Sequence, residues 1–427
     1  MQRVKLKTFA AVSGGKRLPK GEEVTDGPSN HRYLRIVDMS EEGVIKEGIK
    51  YISQSASQQI TRYRIFKDEL YISIAGTIGR VGIIDDELSG INLTENAAKI
   101  NVTADDFLPK YVLYSLRSSD VQKQVKGLVG GAAQPKLGLY KVEELEVIQL
   151  PLPTQRKIAA ILSAYDDLIE NNTRRVRVLE QMARALYREW FVEYRYPGHE
   201  QAQWVEDEAG RRPQGWEWVK FTDTAMVLSG GTPKTTEPSF WDGDIPFYTP
   251  KDSPDGFYVT STEKSITQAG LKKCNSRLYP KDTVFITARG TVGNLALASG
   301  NMAMNQSCYA LDSRAGLGQY FLFLLVEQLV SGLKKQATGA VFDAITVATF
   351  EKTQVLKPTK EVLDAFATRV KPLFDASLSL TRRNANLRQT RDLLLPRLVS
   401  GELDVSGLRV AGVEGEVEEM AKVKDER

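Results

Sequence analysis

Sulfur and imidazole ligands are scarce in this sequence of 427 residues, which contains two cysteines and two histidines. Cys274 and Cys308 match no metal-binding or redox spacing, so we expect two free thiols. His31 and His199 are too few to build a histidine-based metal site or a histidine general base. The sequence therefore points away from metal chemistry and from histidine-dependent catalysis.

Long apolar runs are also missing. No stretch approaches the roughly 18 residues that a membrane-spanning helix needs, and the apolar part of MQRVKLKTFAAVSGG is too short for a secretory signal. We therefore expect a cytoplasmic protein. The net charge is only +3, and the last 17 residues, AGVEGEVEEMAKVKDER, contribute −3 through six acids and three bases. The mild basic excess of the remainder permits nucleic-acid binding without requiring it.

Catalytic signatures are absent as well. The sequence contains no GxxxxGK(S/T), HExxH or GxSxG motif. It lacks the Asn/Asp-Pro-Pro-aromatic tetrapeptide of amino-methyltransferases, for which Asp244-Ile245-Pro246-Phe247 is only a near miss. Pro254-Asp255 followed by Glu263-Lys264 lacks the spacing of a magnesium-dependent nuclease site. We expect a chain with no catalytic residues, no metal and no cofactor.

A long internal repeat is the most informative feature that is present. KDELYISIAGTIG (67–79) and KDTVFITARGTVG (281–293) are identical at six of 13 positions, at an offset of 214. Chance would give about one identity in such a window. Ser13-Gly14-Gly15 matches Ser229-Gly230-Gly231 at an offset of 216. Two copies with so long a period indicate a duplicated domain and not a solenoid.

Each copy begins with β-structure and ends in a long helix. YISIA and VFITA are typical of strands, and GTIGRVGIID and GTVGNLALAS predict hairpins with glycine turns. Phe107–Val125 and Gly318–Leu333 predict shorter helices. The predicted fold class is α+β, with two β-rich modules that contain small helices and are each followed by a long helix.

The long helices are predicted from apolar residues that recur every seven positions. Such a stripe needs a partner, and the other helix is the nearest one. We expect an antiparallel coiled coil with pseudo-twofold symmetry, in which Asn172 and Asn384 fix the register. The alternative is a helix that lies on the surface of its own module. About 33 residues would form a rod of roughly 50 Å. The stripe residues are Ile158, Tyr165, Asn172, Leu179 and Leu186 in the first helix, and Leu373, Leu380, Leu387 and Leu394 in the second.

Two similar but diverged modules on a rigid spacer suit double-stranded DNA, whose half-sites are spaced by the helical repeat of about 34 Å. Because the modules differ, the target would be asymmetric. Base edges are read mainly by Arg, Lys, Asn and Gln. The candidate DNA-binding residues are Lys16, Arg17, Lys20, Arg32, Arg62, Arg80, Gln134 and Lys136 in the first module, and Lys234, Lys251, Lys272, Lys273, Arg277, Arg289 and Lys334 in the second.

Two segments resemble a known family. LPLPTQRKIAAILSAYDDLIENNTRR (150–175) resembles the central conserved helix of the specificity subunit of Type I restriction-modification enzymes. RRNANLRQTRDLLLPRLVSGEL (382–403) resembles the distal conserved helix of the same family. The order of domain, helix, domain and helix extends the resemblance to nearly the whole chain. The second helix departs from the family in its opening, KPTKEVLDAFATRV.

The resemblance implies a non-catalytic DNA-specificity subunit that binds a bipartite target, with the paired helices acting as a ruler between the half-sites. It also implies docking of two methyltransferase subunits and of restriction (motor-nuclease) subunits, which would supply catalysis, S-adenosylmethionine and ATP. The implied organisation is target recognition domain 1 (1–150), central conserved helix (151–195), linker (196–215), target recognition domain 2 (216–357), distal conserved helix (358–403) and a disordered acidic tail (404–427).

Two other functions compete with this interpretation. The first is a DNA methyltransferase or nuclease with an unrecognised site, which methyl transfer by the purified chain alone would reveal. The second is a coiled-coil scaffold that does not bind DNA, which a gel-shift experiment would distinguish. The missing catalytic motifs weigh against the first alternative.

Overall fold

The computed structural model describes residues 2–27, 29–129, 135–208, 210–336 and 344–410, without the side chains of residues 334–336. The chain divides into unit 1, which comprises Met1–Ile169 and Leu387–Arg427, and unit 2, which comprises Glu170–Asn386. Each unit therefore contains one β-rich module and a part of both long helices. Within the described ranges, no helix combines the length and the apolar character that crossing a membrane would require.

Unit 1 has short strands, small helices and the beginning of a long helix. The strands are β1 (Arg3–Lys5), β2 (Ala10–Gly14), β3 (Arg32–Leu34), β4 (Lys50–Tyr51), β5 (Arg64–Ile65), β6 (Leu70–Ser73), β7 (Val81–Ile83), β8 (Ile91–Leu93), β9 (Ala97–Val102) and β10 (Glu146–Ile148). The helices are α1 (Gln54–Gln59), α2 (Pro109–Arg117), α3 (Ser119–Leu128), α4 (Leu139–Glu143) and α5 (Leu152–Tyr187), and α5 continues as a π-helical turn over Arg188–Val192.

The core of unit 1 lies on both faces of strand β6. This strand is central in an antiparallel sheet of order β2-β9-β6-β7, and a second sheet of order β4-β3-β8-β5 contains the parallel pair β3–β8. Leu70 and Ile72 pack with the apolar residues of α2, whereas Tyr71 packs with the second sheet, because side chains alternate along a strand. A Cβ at Gly82, opposite Tyr71, would lie 2.2 Å from the tyrosine hydroxyl oxygen. Only glycine fits there.

Unit 2 contains a similar set of elements and most of the second long helix. The strands are β11 (Trp204–Asp207), β12 (Gly210–Pro213), β13 (Glu217–Lys220), β14 (Ala225–Ser229), β15 (Trp241–Tyr248), β16 (Tyr258–Val259), β17 (Lys264–Ile266), β18 (Val284–Thr287), β19 (Leu295–Ala298), β20 (Ala303–Met304), β21 (Cys308–Ser313) and β22 (Gln354–Lys357). The helices are α6 (Phe221–Thr224), α7 (Gln268–Lys272), α8 (Gln319–Gln336), α9 (Val347–Lys352) and α10 (Lys360–Val399).

The sheets of unit 2 repeat those of unit 1. The order β14-β21-β18-β19 corresponds to β2-β9-β6-β7, the parallel pair β15–β20 to β3–β8, and the pair β13–β22 to β1–β10. Val284 and Ile286 of β18 pack with the apolar residues of α8, and Phe285 packs on the other face. The predicted α+β class and both predicted hairpins, β6–β7 and β18–β19, are confirmed.

Local details differ from the sequence predictions. The helix predicted over Phe107–Val125 is two helices, because Ser118 has an extended backbone and caps α3 by accepting from the Val121 N–H. The helix predicted over Gly318–Leu333 is confirmed as α8. Residues 196–215, predicted to be a linker, include the β11–β12 hairpin. Cys274 and Cys308 are free thiols, as predicted.

The long helices pair in an antiparallel manner in each unit. In unit 1, Ile158 of α5 shares an apolar cluster with Leu398 of α10. In unit 2, the Asn172 amide donates to the Asn384 Oδ1 at 3.0 Å, and both side chains are buried. Asp166 of α5 meets Arg391 of α10 within unit 1, and Glu180 meets Ser377 within unit 2, so in each unit rising residue numbers on α5 meet falling numbers on α10 and the predicted antiparallel pairing is confirmed. The stripe residues Ile158, Tyr165, Asn172, Leu179, Leu186, Leu373, Leu380, Leu387 and Leu394 are all buried or half-buried.

Carboxylates of α5, one half-buried and one buried, attach each module to the helix pair. Asp166 of α5 accepts from the Tyr114 hydroxyl of α2 at 2.8 Å and from Arg391 of α10 at 2.7 Å. Glu180 of α5 accepts from the Phe257 N–H at 2.9 Å and from Ser377 of α10 at 3.2 Å. The helices therefore pack both on each other and on the modules. The alternative prediction, that each long helix lies only on the surface of its own module, is wrong.

Part of the segment predicted to be a tail, residues 404–427, is packed in unit 1. Val405 is fully buried in a cluster with Tyr111 and Ile158. The Lys157 ammonium also donates to the Ser406 carbonyl oxygen at 2.5 Å. The packed part of the chain thus extends beyond residue 403, and residues 411–427 lie outside the described residues.

Candidate nucleic-acid interface

The loop that follows strand β2 is pressed against the turn between β8 and β9. The Gly15 N–H donates to the Ala97 carbonyl oxygen at 3.0 Å, and the Lys16 N–H donates to the Leu93 carbonyl oxygen at 2.8 Å. A Cβ at Gly15 would lie 2.1 Å from the Thr94 carbonyl oxygen, which is well inside van der Waals contact. Glycine is therefore required at position 15, and the basic residues that follow it leave the sheet at a fixed point.

A further segment meets the same turn, and another is joined to that segment. The Ile74 N–H donates to the Asn96 carbonyl oxygen at 2.8 Å, and the Leu137 N–H donates to the Ile74 carbonyl oxygen at 2.9 Å. Lys136 forms an isolated β-bridge with Ala75. These contacts join four segments into one surface, which we call loop cluster 1: residues 15–20, 74–80, 94–96 and 135–138.

Arg17 and Glu95 form an ion pair in loop cluster 1. The Arg17 Nε donates to Glu95 Oε1 at 2.8 Å, and the other carboxylate oxygen accepts from the Thr94 hydroxyl at 3.0 Å. The Arg17 side chain is 82% exposed, whereas that of Glu95 is 26% exposed. Burial alone would raise the pKa of Glu95, but the hydrogen bond from Arg17 and the other hydrogen bonds hold it below its ordinary value. The carboxylate is therefore ionised at neutral pH and braces an exposed guanidinium.

Unit 2 builds the same backbone arrangement after strand β14. The Gly231 N–H donates to the Met304 carbonyl oxygen at 3.1 Å, and a Cβ at Gly230 would lie 2.1 Å from the Asn305 carbonyl oxygen. Gly230 is therefore the structural counterpart of Gly15. The sequence alignment of the two Ser-Gly-Gly segments is wrong by one residue, because the hydrogen bonds and steric contacts of the backbone set the register.

The other three segments also have counterparts. The Ala288 N–H donates to the Ser307 carbonyl oxygen at 2.8 Å, and the Ile345 N–H donates to the Ala288 carbonyl oxygen at 3.1 Å. The Thr232 hydroxyl hydrogen-bonds to the Gln306 amide oxygen, where unit 1 has Arg17 and Glu95. We call this second surface loop cluster 2: residues 230–236, 288–294, 305–307 and 344–346.

A family model described as "Type I restriction modification DNA specificity domain" matches residues 1–181 and 213–387. The chain belongs to this family. The resemblance drawn from the two conserved helices is thereby confirmed. Both loop clusters lie within the matched ranges.

Individual relatives of this specificity-domain protein agree with the match. The chain is 26% identical over 374 residues to the Type I restriction enzyme MjaIX specificity subunit of Methanocaldococcus jannaschii, across 85% of this chain and 84% of that protein. It is 24% identical over 397 residues to the HindI specificity subunit of Haemophilus influenzae, across 79% and 86%. The crystal structure of a Type-I restriction-modification system S subunit from M. genitalium matches in fold, with a TM-score of 0.58, 15% identity and coverage of 93% and 96%.

The predicted DNA-binding residues of the specificity domains fall into three groups. The first group is exposed and lies in the loop clusters: Lys16, Arg17, Lys20 and Lys136 in cluster 1, and Lys234 and Arg289 in cluster 2. The second group is exposed but lies outside the clusters: Arg62, Lys251, Lys272, Lys273 and Arg277. Within this group, Arg62 precedes Tyr63, whose ring centroid lies 5.8 Å from the Lys16 ammonium.

The third group is held by other parts of the protein. Arg80 donates to the Met39 carbonyl oxygen, and its Nε is buried. Arg32 donates to the Glu87 carbonyl oxygen at 3.1 Å. Both arginines brace unit 1, so DNA contact by either stays a prediction. Gln134 lies outside the described residues, as does the side chain of Lys334.

Sequence reasoning missed Glu95, Thr232 and Gln306. It searched mainly for basic residues in loops, and an acid or a threonine did not qualify. The signal that would have found them is positional: Thr232 follows a constrained glycine by two residues, and Glu95 and Gln306 lie in the turn that such a glycine contacts. Among the described residues, no group of three or more His, Cys, Asp or Glu side chains is placed to hold a metal ion.

Proposed function

We propose that this chain is the non-catalytic specificity subunit of a Type I restriction-modification complex and binds a bipartite, asymmetric target in double-stranded DNA. One observation supports the proposal most directly: loop clusters 1 and 2 share a backbone arrangement and differ in their exposed side chains. A shared arrangement would present side chains to DNA in the same way, and different side chains would read different bases. The family match and the names of the relatives support the same function.

The exposed basic residues suit contacts with the DNA backbone. Lys16 and Lys20 flank Arg17 in sequence, Lys136 pairs with Ala75 in the same cluster, and Lys234 and Arg289 are exposed in cluster 2. Lysine acts as a point charge for phosphate, and such contacts fix the register of a protein on the duplex. We therefore assign phosphate binding to these lysines and base reading to the polar groups among them.

Target recognition is assigned to residues 1–150 and 216–357, which contain the loop clusters. We assign spacing to the helical segments 151–195 and 358–403, with residues 196–215 as the connection and 404–427 as the tail. The buried amide pair Asn172–Asn384 would fix the register of the two helices, as a buried asparagine does in coiled coils. The helices would then act as a ruler for the spacer between the half-sites.

Catalysis is assigned to partner subunits. Two methyltransferase subunits and restriction (motor-nuclease) subunits would dock on the chain and supply S-adenosylmethionine and ATP chemistry. Val178 and Met182 of α5 are more than half exposed on the described surface. Exposed apolar side chains on one helix face are suited to contact a partner protein. The chain itself would need no cofactor, and a cytoplasmic location follows from the DNA target.

Methylome sequencing of the source cell tests the proposal. We expect a bipartite, adenine-methylated motif that disappears when the gene is deleted. A methylome that is unchanged by the deletion would contradict the proposal. Methyl transfer by the purified chain alone would favour the rival enzyme. Absence of any gel shift with DNA of the methylated motif, in the presence of the methyltransferase subunits, would favour the rival scaffold.

A further inference from the structure

The loop clusters place one pair of side chains at the same position in both units. Arg17 follows the constrained Gly15 by two residues, as Thr232 follows Gly230. The partner side chains, Glu95 and Gln306, follow the residues whose carbonyl oxygens contact those glycines. Each pair is joined by a hydrogen bond. The two pairs are therefore structural equivalents, although they are chemically different.

The pair in unit 1 suits guanine. The hydrogen bond that the described residues show for Arg17 uses Nε, so the two terminal amino groups are available as a fork of donors. Such a fork matches the O6 and N7 acceptors of guanine in the major groove. Phosphate repels the ionised Glu95 that braces this arginine, and this repulsion favours a base edge over the DNA backbone.

The pair in unit 2 suits adenine. Gln306 is exposed, and its amide offers a donor and an acceptor side by side. This combination matches the N6 donor and the N7 acceptor of adenine. The Thr232 hydroxyl orients the amide by donating to its oxygen, which has a second lone pair for a base. The neutral pair thus replaces the charged pair on the same backbone arrangement.

We propose that these two pairs each determine one base of the target: Arg17, braced by Glu95, reads a guanine in one half-site, and Gln306, held by Thr232, reads an adenine in the other. Arg17 and Gln306 are the base-reading residues, and Glu95 and Thr232 are positioning residues. This inference rests on the proposed function and adds the base class at one position of each half-site.

Substitutions in the chromosomal gene, followed by methylome sequencing, test the inference in the intact complex. Arg17→Ala should relax one guanine in one half of the motif, and Gln306→Ala should relax one adenine in the other half. The preference for the original base should fall about 5- to 150-fold in each case. The control is Lys67→Ala, because Lys67 is exposed in unit 1, pairs with Asp86 and lies outside loop cluster 1. It should leave the motif unchanged.

Glu95 has its own test. Glu95→Ala should relax the same guanine as Arg17→Ala, by a smaller factor, and Glu95→Gln should restore most of the preference because its amide oxygen still accepts from Arg17. A purely structural role would instead reduce methylation at all sites, without any change in the motif. That result would overturn the positioning role.

Four outcomes would contradict the inference or the proposed function. A bipartite motif that both variants leave unchanged, or that both relax in the same half, would overturn the inference and leave the proposed function intact. A wild-type methylome without a bipartite motif would overturn the proposed function itself. Arg17→Lys keeps the charge without the fork and should retain methylation with a relaxed guanine. If Arg17→Ala and Arg17→Lys both abolish methylation everywhere, Arg17 acts in folding or assembly and the inference fails.

Discussion

The buried carboxylate of Glu180 in unit 2 makes a specific contribution to stability. It is 4% exposed, and its Oε1 accepts from the Phe257 N–H at 2.9 Å and from the Ser377 hydroxyl at 3.2 Å. It thereby joins α5 to α10 and to a loop of the β-rich module. Burial raises its pKa above the ordinary value of 4.5, despite the hydrogen bond from Phe257 and the nearby Arg184. The buried charge therefore destabilises the folded state, whereas the two hydrogen bonds stabilise it.

Two substitutions separate these effects. Glu180→Gln keeps an oxygen that accepts from the Phe257 N–H and removes the charge, so we expect the free energy of unfolding to change by less than about 1 kcal/mol. Glu180→Ala leaves that buried N–H without a partner and opens a small cavity. We expect it to lower the free energy of unfolding of unit 2 by about 2–4 kcal/mol.

The pH dependence has a definite sign. Because the pKa of Glu180 is higher in the folded protein than in the unfolded chain, its contribution to stability is fully present below pH 4.5 and is lost as the pH rises through the folded value. Lowering the pH from 7 toward 4.5 should therefore stabilise the wild type relative to Glu180→Gln. The opposite trend would mean that the ion pair with Arg184 outweighs burial.

Urea unfolding monitored by tryptophan fluorescence is the assay. All five tryptophans lie between residues 190 and 241, so the signal reports unit 2. Glu170→Gln is the matched control, because Glu170 is an exposed carboxylate in the unit 2 part of α5, and it should change the free energy of unfolding by less than about 0.5 kcal/mol. If Glu180→Gln lowers the free energy of unfolding as much as Glu180→Ala does, the negative charge and not the hydrogen-bonding oxygen stabilises the contacts of Glu180. That result would refute the reasoning.

Three further predictions concern the loops and the helices. Gly230→Ala places a Cβ 2.1 Å from the Asn305 carbonyl oxygen, so it should lower the free energy of unfolding of unit 2 by about 2 kcal/mol or more and weaken recognition of one half of the methylated motif. The control is Gly332→Ala, because Gly332 is exposed in α8 with open space around it. This change should raise the free energy of unfolding by about 0.5–1 kcal/mol. Replacing Asn172 and Asn384 together by leucine should raise the urea midpoint and produce methylated motifs with several spacer lengths, because an apolar pair no longer fixes the register of the helices. A lower midpoint or an unchanged single spacer would contradict this. One extra heptad in both α5 and α10 should lengthen the spacer by roughly 10 Å, or about three base pairs, and an unchanged spacer would rule out the ruler.

The sequence predicted those parts of the fold whose signal is local. Leu70, Tyr71 and Ile72 alternate between two apolar clusters, and the glycine turn that follows defines the hairpin without reference to distant residues. The heptad stripe likewise predicted the helix pair, because a polar Asn172 inside an apolar stripe needs a polar partner, and Asn384 occupies the corresponding place. Such patterns can be recognised in the sequence alone, because residues at regular spacing lie on one face of a strand or helix.

The candidate site was harder to predict, because its residues meet only through tertiary pairing. Glu95 braces Arg17 across 78 positions of sequence, and no local pattern connects them. The one-residue shift of Gly230 against Gly15 depends on the contact of each glycine with a carbonyl oxygen, which residue identity does not reveal. Arg80 shows the reverse error: a basic residue beside a glycine turn resembles a DNA contact, yet its guanidinium donates to the Met39 carbonyl oxygen.

Unit 1 is built from two separate segments of the chain, and this has a consequence for folding during synthesis. Unit 2 is one continuous segment, whereas the unit 1 cluster of Tyr111, Ile158 and Leu162 is completed by Leu395 and Val405. At about 5–20 residues per second, a ribosome needs on the order of 10–50 seconds to add the roughly 230 residues that separate Leu162 from Leu395. The domain that is translated first is therefore finished last, and its apolar surface must be kept from aggregating meanwhile. A premature stop codon between Asn386 and Leu395 should thus damage the amino-terminal domain while leaving unit 2 complete.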